Sequence, residues 1–225
     1  MKKLLTREMI EEGAIGAIVA RDAPTVRILT DEERAMSLRN TLTVKPRDDV
    51  WLFGYGSLIW NPTIDFIERR VAKVVGWHRS FCLATPAGRG SIDNPGLVLG
   101  LEAGGDCTGV AFRIAGDVAE SELATIWKRE MVAASYIPRW LDLLDEQSHR
   151  FGCGLAFTID PAGENYAGEL TRDQIVARLA TARGALGSSA DYLFETCKGL
   201  REHAIDDIEL NKLEAEVSAH FGPAR

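Results

Sequence analysis

VWLFGYGSLIWNP (Val50–Pro62) packs five apolar or aromatic residues into Val50–Tyr55, then sets Gly54 and Gly56 around a tyrosine and follows with a serine. A run of this kind predicts a buried strand, Val50–Phe53, that ends in a turn with accessible backbone N–H groups. Two familiar readings of such a turn fail on spacing. In GYGSLI, Ile59 stands where a dinucleotide-binding loop needs its third glycine, and no βαβ unit follows. A nucleophile elbow would need glycines at positions 55 and 59, which are Tyr55 and Ile59. What stays open is a tight structural loop, or a loop whose N–H groups and Tyr55 and Ser57 hydroxyls hold a ligand.

On the C-terminal side, short extended segments continue. RRVAKVVGWHRSFCLAT (Arg69–Thr85), GLVLGLE (Gly96–Glu102) and CTGVAFRIA (Cys107–Ala115) read as strands, joined at Pro62, Pro86–Gly90 and Gly104–Gly105. Further extended segments are expected within Pro138–Asp160. Strands with little helix between them predict an α+β fold, a small mixed or antiparallel β-barrel with flanking helices, and disfavour a doubly wound sheet. Three helical patterns close the chain: Thr171–Gly184, Ser188–His203 and Asp206–Phe221. Residues 1–48 read as a helical N-terminal extension, with cap-like starts at Thr6 and Thr30 and a linker at Val44–Asp49. Residues 49–225 read as the main domain.

The bulk composition narrows the function. The 225 residues carry a net charge of -7 and no run of Lys or Arg, so a general nucleic-acid binder is not expected. Four widely spaced cysteines form no C-x-x-C pair, and the four histidines sit at no zinc-ligand spacing from them or from one another. Reduced, mostly buried thiols and no metal site are expected. No stretch approaches the roughly 18 apolar residues that span a bilayer. A cytoplasmic protein, without membrane insertion, is the expectation.

One acid stands out. In GDVAESELATIWKREM (Gly116–Met131), Asp117 and Glu120 resemble a capping box, and Leu123, Ile126 and Trp127 share a face. Glu130 continues that face at i+7, whereas Lys128 and Arg129 are expected to point elsewhere. A buried carboxylate costs several kcal/mol unless it is paired or protonated. Glu130 is therefore a buried partner of an arginine, an acid released to solvent as the helix ends, or a general acid–base.

These pieces together resemble the ChaC-type γ-glutamylcyclotransferases. The matching segments, in order, are VWLFGYGSLIWNP, GWHRSFCLATPAGRGSIDNPGLVLGLEAGGDCTGVAFRI, WKREMVAASYIPRW, YAG (Tyr166–Gly168) and GSSADYLFETCKGLREHAIDDIELNKLEAEV. At GRGS (Gly88–Ser91) the chain departs from the family pattern, lacking a histidine near Arg89. The resemblance implies a γ-glutamylcyclotransferase-like barrel and the conversion of glutathione to 5-oxoproline and Cys-Gly without a cofactor. It implies Glu130 as general base and then general acid, and a substrate-binding loop of Tyr55, Gly56, Ser57 and Leu58. Tyr136 would contact substrate or orient the carboxylate. Arg89 would meet the glycyl carboxylate or brace its loop, and Tyr192 reads as core. Other γ-glutamyl amino acids or amines are alternative substrates, and a non-catalytic regulator binding a cation transporter is an alternative of another class. Monomer and homodimer are both compatible with the sequence.

Overall fold

The dense, nearly continuously buried run Val50–Gly54 forms β1, hydrogen-bonded on both edges in a computed structural model that describes residues 5–44 and 49–222. One edge pairs antiparallel with β3 (Gly96–Ile114), placing Leu52 opposite Phe112. The other pairs parallel with β5 (Arg150–Ile159), placing Leu52 opposite Leu155. With β2 (Glu68–Thr85) and β4 (Tyr136–Leu144), these strands close a five-stranded barrel in the order β1-β3-β2-β4-β5. β2 and β4 complete the closure at Lys73 and Leu144, and Leu52, Phe53, Leu97, Leu99, Val110, Phe112 and Leu155 are buried in one continuous core on the two faces of the barrel wall. Each such apolar side chain contributes about 1.5–3 kcal/mol by leaving water. The α+β barrel expected from the short strands is the observed architecture.

Two local expectations need correcting. Gly96–Glu102 and Cys107–Ala115 are not separate strands: β3 is one strand of 19 residues. Gly104 and Gly105, with φ of 100° and 67°, lie opposite a register shift of β2 at Gly76, whose φ is 82°. Glycines accept these angles without a Cβ clash, so both strands kink together and pairing continues. Likewise, the helix α5 (Ala119–Glu130) has Val118 at its N-cap and no side-chain capping bond. Asp49 Oδ1 accepts the Gly116 N–H at 3.0 Å and the Val118 N–H closes on the Ala115 carbonyl, so a turn holds Asp117 one residue upstream of the cap.

The N-terminal extension forms α1 (Arg7–Glu11), α2 (Ala14–Asp22) and α3 (Asp31–Leu42). Thr6 and Thr30 cap α1 and α3 as their sequence suggests, the latter in a full capping box with Glu33. The extension docks on α5: Arg7 Nη1 lies 2.8 Å from Glu122 Oε2, a carboxylate only 6% exposed that also accepts the Asp65 N–H at 3.0 Å. The Trp127 indole donates to Ser37 Oγ, and the Trp140 indole to the Thr41 carbonyl. Of the linker expected at Val44–Asp49, residues 45–48 lie outside the described residues.

A one-turn helix, α4 (Ser57–Trp60), follows β1. The C-terminal part folds as α6 (Arg172–Thr181), a short ribbon of β6 (Arg183–Gly184) and β7 (Gly187–Ser188), then α7 (Ser189–Glu202) and α8 (Ile208–Ala219). All four cysteines are free thiols; Cys153 is half-buried and the other three are buried. Among the described residues, no helix is long and apolar enough to cross a membrane, and no three His, Cys, Asp or Glu side chains gather where they could hold a metal ion.

Candidate active site

β1 delivers GYGS to one end of the barrel. Tyr55 is buried, and Gly56 (φ -138°, ψ -125°) is the N-cap of α4. The Tyr55 carbonyl is held by Arg79 Nη1 at 2.9 Å. Arg79 is itself 4% exposed and paired through Nε with Asp207 Oδ2 at 3.1 Å. Asp207 also caps α8 by accepting the Leu210 N–H. The turn after β1 is thus fixed through a buried guanidinium to the last helix, and Gly56, Ser57 and Leu58 line the cavity.

The C-terminus of α5 reaches the same place. Leu123, Ile126 and Trp127 are fully buried, and the Trp127 ring meets Phe157 edge-on at 5.1 Å. That packing carries Glu130 inward, as the periodicity predicts. Its side chain is 16% exposed, and it lines a cavity of about 350 Å³. Lys128 points away and donates to the Glu11 carbonyl, but Arg129 does not point away. It is 6% exposed and turns in, because four oxygens converge there: Ser57 Oγ at 2.8 Å, Thr63 Oγ1 at 3.0 Å, the Asn61 carbonyl, and Glu130 Oε1 at 3.0 Å. The carboxylate is therefore both on the apolar stripe and paired with an arginine. Burial pushes the Glu130 carboxyl above the usual carboxylate range, and the adjacent Arg129 charge and hydrogen bond oppose that rise.

Three tyrosines surround this acid. The Tyr55 hydroxyl donates to the Phe157 carbonyl at 2.7 Å, and Tyr136, at the start of β4, donates to the Leu99 carbonyl at 3.0 Å. Burial first, and then neighbouring groups including the Glu130 charge, raise both phenols well above their ordinary range, and Tyr192 is raised for the same reasons. All three stay neutral at physiological pH. Tyr192, expected as core, is indeed buried, but it also lines the cavity, and its oxygen lies 2.6 Å from where a Cβ on Gly56 would stand. Gly56→Val is therefore expected to displace the Tyr192 hydroxyl and distort the loop. A misplacement of about 1 Å lowers kcat/KM on the order of 10²-fold. Steady-state kinetics beside a thermal melt checks this, and an unchanged kcat/KM contradicts it.

Arg89 lies on the loop between β2 and β3. Its guanidinium sits 5.8 Å above the Tyr192 ring and donates to the Ser188 carbonyl at 3.3 Å. Burial lowers its pKa, with Tyr192 and Asp191 pulling the other way. Tyr55, Gly56, Ser57, Leu58, Arg89, Glu130 and Tyr136 thus come together on one cavity from four separate parts of the chain. Sequence reasoning missed Arg129 and Arg79 as organisers. The adjacency of Arg129 to Glu130 was the only available signal for the first, and nothing local pointed to the second.

A model of the ChaC-like protein family matches residues 50–220. The glutathione-specific gamma-glutamylcyclotransferase of Escherichia coli (strain K12) is 44% identical over 188 residues, covering 83% of this chain and 80% of that protein. Glutathione-specific gamma-glutamylcyclotransferase 1 of Danio rerio is 30% identical over 191 residues, or 80% of this chain and 97% of that one. Among solved structures, the yeast γ-glutamyl cyclotransferase specific to glutathione aligns with a TM-score of 0.71 at 20% identity, covering 77% of this chain and 97% of its own. At that identity the likeness speaks for the barrel fold alone. With the family match spanning β1 to the end of α8, and a relative 44% identical, the chain belongs to the ChaC-like family.

Proposed function

We propose that this protein is a γ-glutamylcyclotransferase that cleaves glutathione to 5-oxoproline and cysteinylglycine, with Glu130 as the proton carrier. The observation that carries the reading is a buried acid with an elevated pKa, facing one cavity together with a glycine-flanked loop of backbone donors. Its relatives named for this activity on glutathione support the substrate class.

The reaction asks little covalent chemistry of the protein. The substrate's α-nitrogen attacks its own γ-amide carbon, forming the lactam C–N bond, and the bond to the cysteinyl nitrogen breaks. Two protons pass from the attacking nitrogen to the departing one, and Glu130 takes up and returns each in turn. A carboxyl raised toward neutrality suits both directions of transfer. Arg129 keeps the carboxylate form accessible despite burial. Holding the γ-glutamyl chain folded for ring closure supplies about 7–11 kcal/mol of the barrier reduction. The amides of Gly56, Ser57 and Leu58 face the charge that develops on the amide oxygen and the α-carboxylate, each well-aimed donor contributing about 3–4 kcal/mol. Ser57 Oγ accepts from Arg129, which leaves its own proton for the substrate. The hydroxyl protons of Tyr55 and Tyr136 are committed to carbonyls, so their oxygens accept from the α-ammonium. Arg89 takes the glycyl carboxylate. A cytoplasmic setting fits the four free thiols.

The test is a comparison of purified protein on glutathione, γ-glutamyl-alanine and a γ-glutamylamine, following 5-oxoproline. The expected kcat/KM is highest for glutathione. Equal turnover of all three would make the protein a general cyclotransferase, and turnover of none would remove the enzymatic reading.

A further inference from the structure

We infer that helix α2 of the N-terminal extension selects the cysteinyl side chain of the leaving group, an inference that rests on the glutathione reading above. Among the eight described helices, α2 has no buried residue, although its sequence AIGAIVARD is mostly apolar. Ile15, Ile18 and Val19 stand at i, i+3 and i+4 and so share one face. A helix of this kind ordinarily buries its apolar stripe against protein. Here all three side chains line the cavity that contains Glu130 and Tyr55, beside Val26, Val132 and Leu186.

The helix is held from its flanks rather than by that face. Before it, Arg7 of α1 pairs with the buried Glu122, and Ile10 is 1% exposed. After it, Ala23 is 1% exposed, and the Leu29 N–H donates to the Val132 carbonyl, directly past the end of α5, at 2.9 Å. The aliphatic face is thereby fixed in position and left for whatever fills the cavity.

Cysteinylglycine offers that wall one matching group. Its amide is polar and its carboxylate requires a cation, which Arg89 provides. The CH₂–SH group behaves as a small hydrophobe. The Ile15, Ile18 and Val19 wall therefore covers the cysteinyl side chain and favours sulfur over a hydrated substituent of the same shape.

The experiment compares kcat/KM for glutathione with that for its analogue carrying serine in place of cysteine. The ratio of the two does not depend on what fraction of the enzyme is folded. The wild-type protein is expected to favour glutathione by about ten- to a hundredfold, the range over which an apolar pocket distinguishes such isosteres. In the double variant Ile15→Asn/Ile18→Asn the ratio is expected to fall to about one, through loss on glutathione. A wild-type ratio near one, or a variant ratio equal to the wild-type value, overturns the assignment of α2. Wild-type protein that turns over neither compound removes the underlying glutathione reading, and this inference with it.

Discussion

Replacing Glu130 with glutamine is expected to lower kcat by about 10²–10⁴-fold with little change in KM, because the group lost acts on protons in flight rather than on bound substrate. Glutamine keeps the shape and the hydrogen bond to Arg129 but cannot carry a proton. A second readout follows from linkage. The folded-state pKa of Glu130 is raised by burial, so the folded protein binds more protons than the unfolded chain once pH exceeds the ordinary value of 4.5. Its contribution to stability is thus fully present below that pH and is lost as pH rises through the folded-state pKa. Glu130→Gln removes this penalty. The variant should melt at or above the wild-type temperature at pH 8, with the difference closing toward pH 4. A variant less stable at pH 8 would instead show that the ion pair with Arg129 outweighs the cost of burying Glu130, and a variant with wild-type kcat would remove Glu130 from the chemistry.

Arg129→Met carries the largest expected loss of stability. It strips hydrogen bonds from Ser57, Thr63 and the Asn61 carbonyl, and leaves Glu130 buried beside no cation of its own helix end. Breaking a buried pair in this way costs about 3–5 kcal/mol, a fall in Tm of roughly 10 °C for a chain of this size. Its effect on catalysis has a defined sign. Without the opposing Arg129 charge the Glu130 pKa rises further, so the acidic limb of the kcat/KM profile moves to higher pH, and activity at pH 6 suffers more than at pH 8.5. Arg129→Lys retains the charge but not the fork geometry, and should recover the profile more fully than the stability. A profile that stays in place in the methionine variant would mean that Arg129 only braces the loop.

What was legible in the sequence was local. The strand Val50–Phe53 and its turn follow from a dense apolar run meeting two glycines. The inward course of Glu130 follows from helical spacing alone. The short strands pointed to a barrel but not to the pair that closes it, because the parallel pairing of β1 with β5 joins residues about a hundred positions apart, without any local pattern. Gly104–Gly105 looked like a break and is a kink, since only the matching distortion at Gly76 shows that pairing continues through it. Arg129 was misplaced because a helical wheel positions the Cα, whereas a long guanidinium at a helix end bends toward its acceptors. Tyr192 shows a similar limit: periodicity marks it as buried, but not that its hydroxyl ends beside Gly56. The apolar face of α2 gains meaning only once the cavity beneath it is known.

The central claim is that ring closure within the substrate, not water, cleaves the γ-glutamyl bond at Glu130. Turnover of glutathione in water enriched in heavy oxygen tests it most directly. The predicted products are 5-oxoproline without the heavy isotope and an equal amount of cysteinylglycine, with both lost in Glu130→Gln. Glutamate bearing the heavy isotope would make the protein a hydrolase and contradict the account.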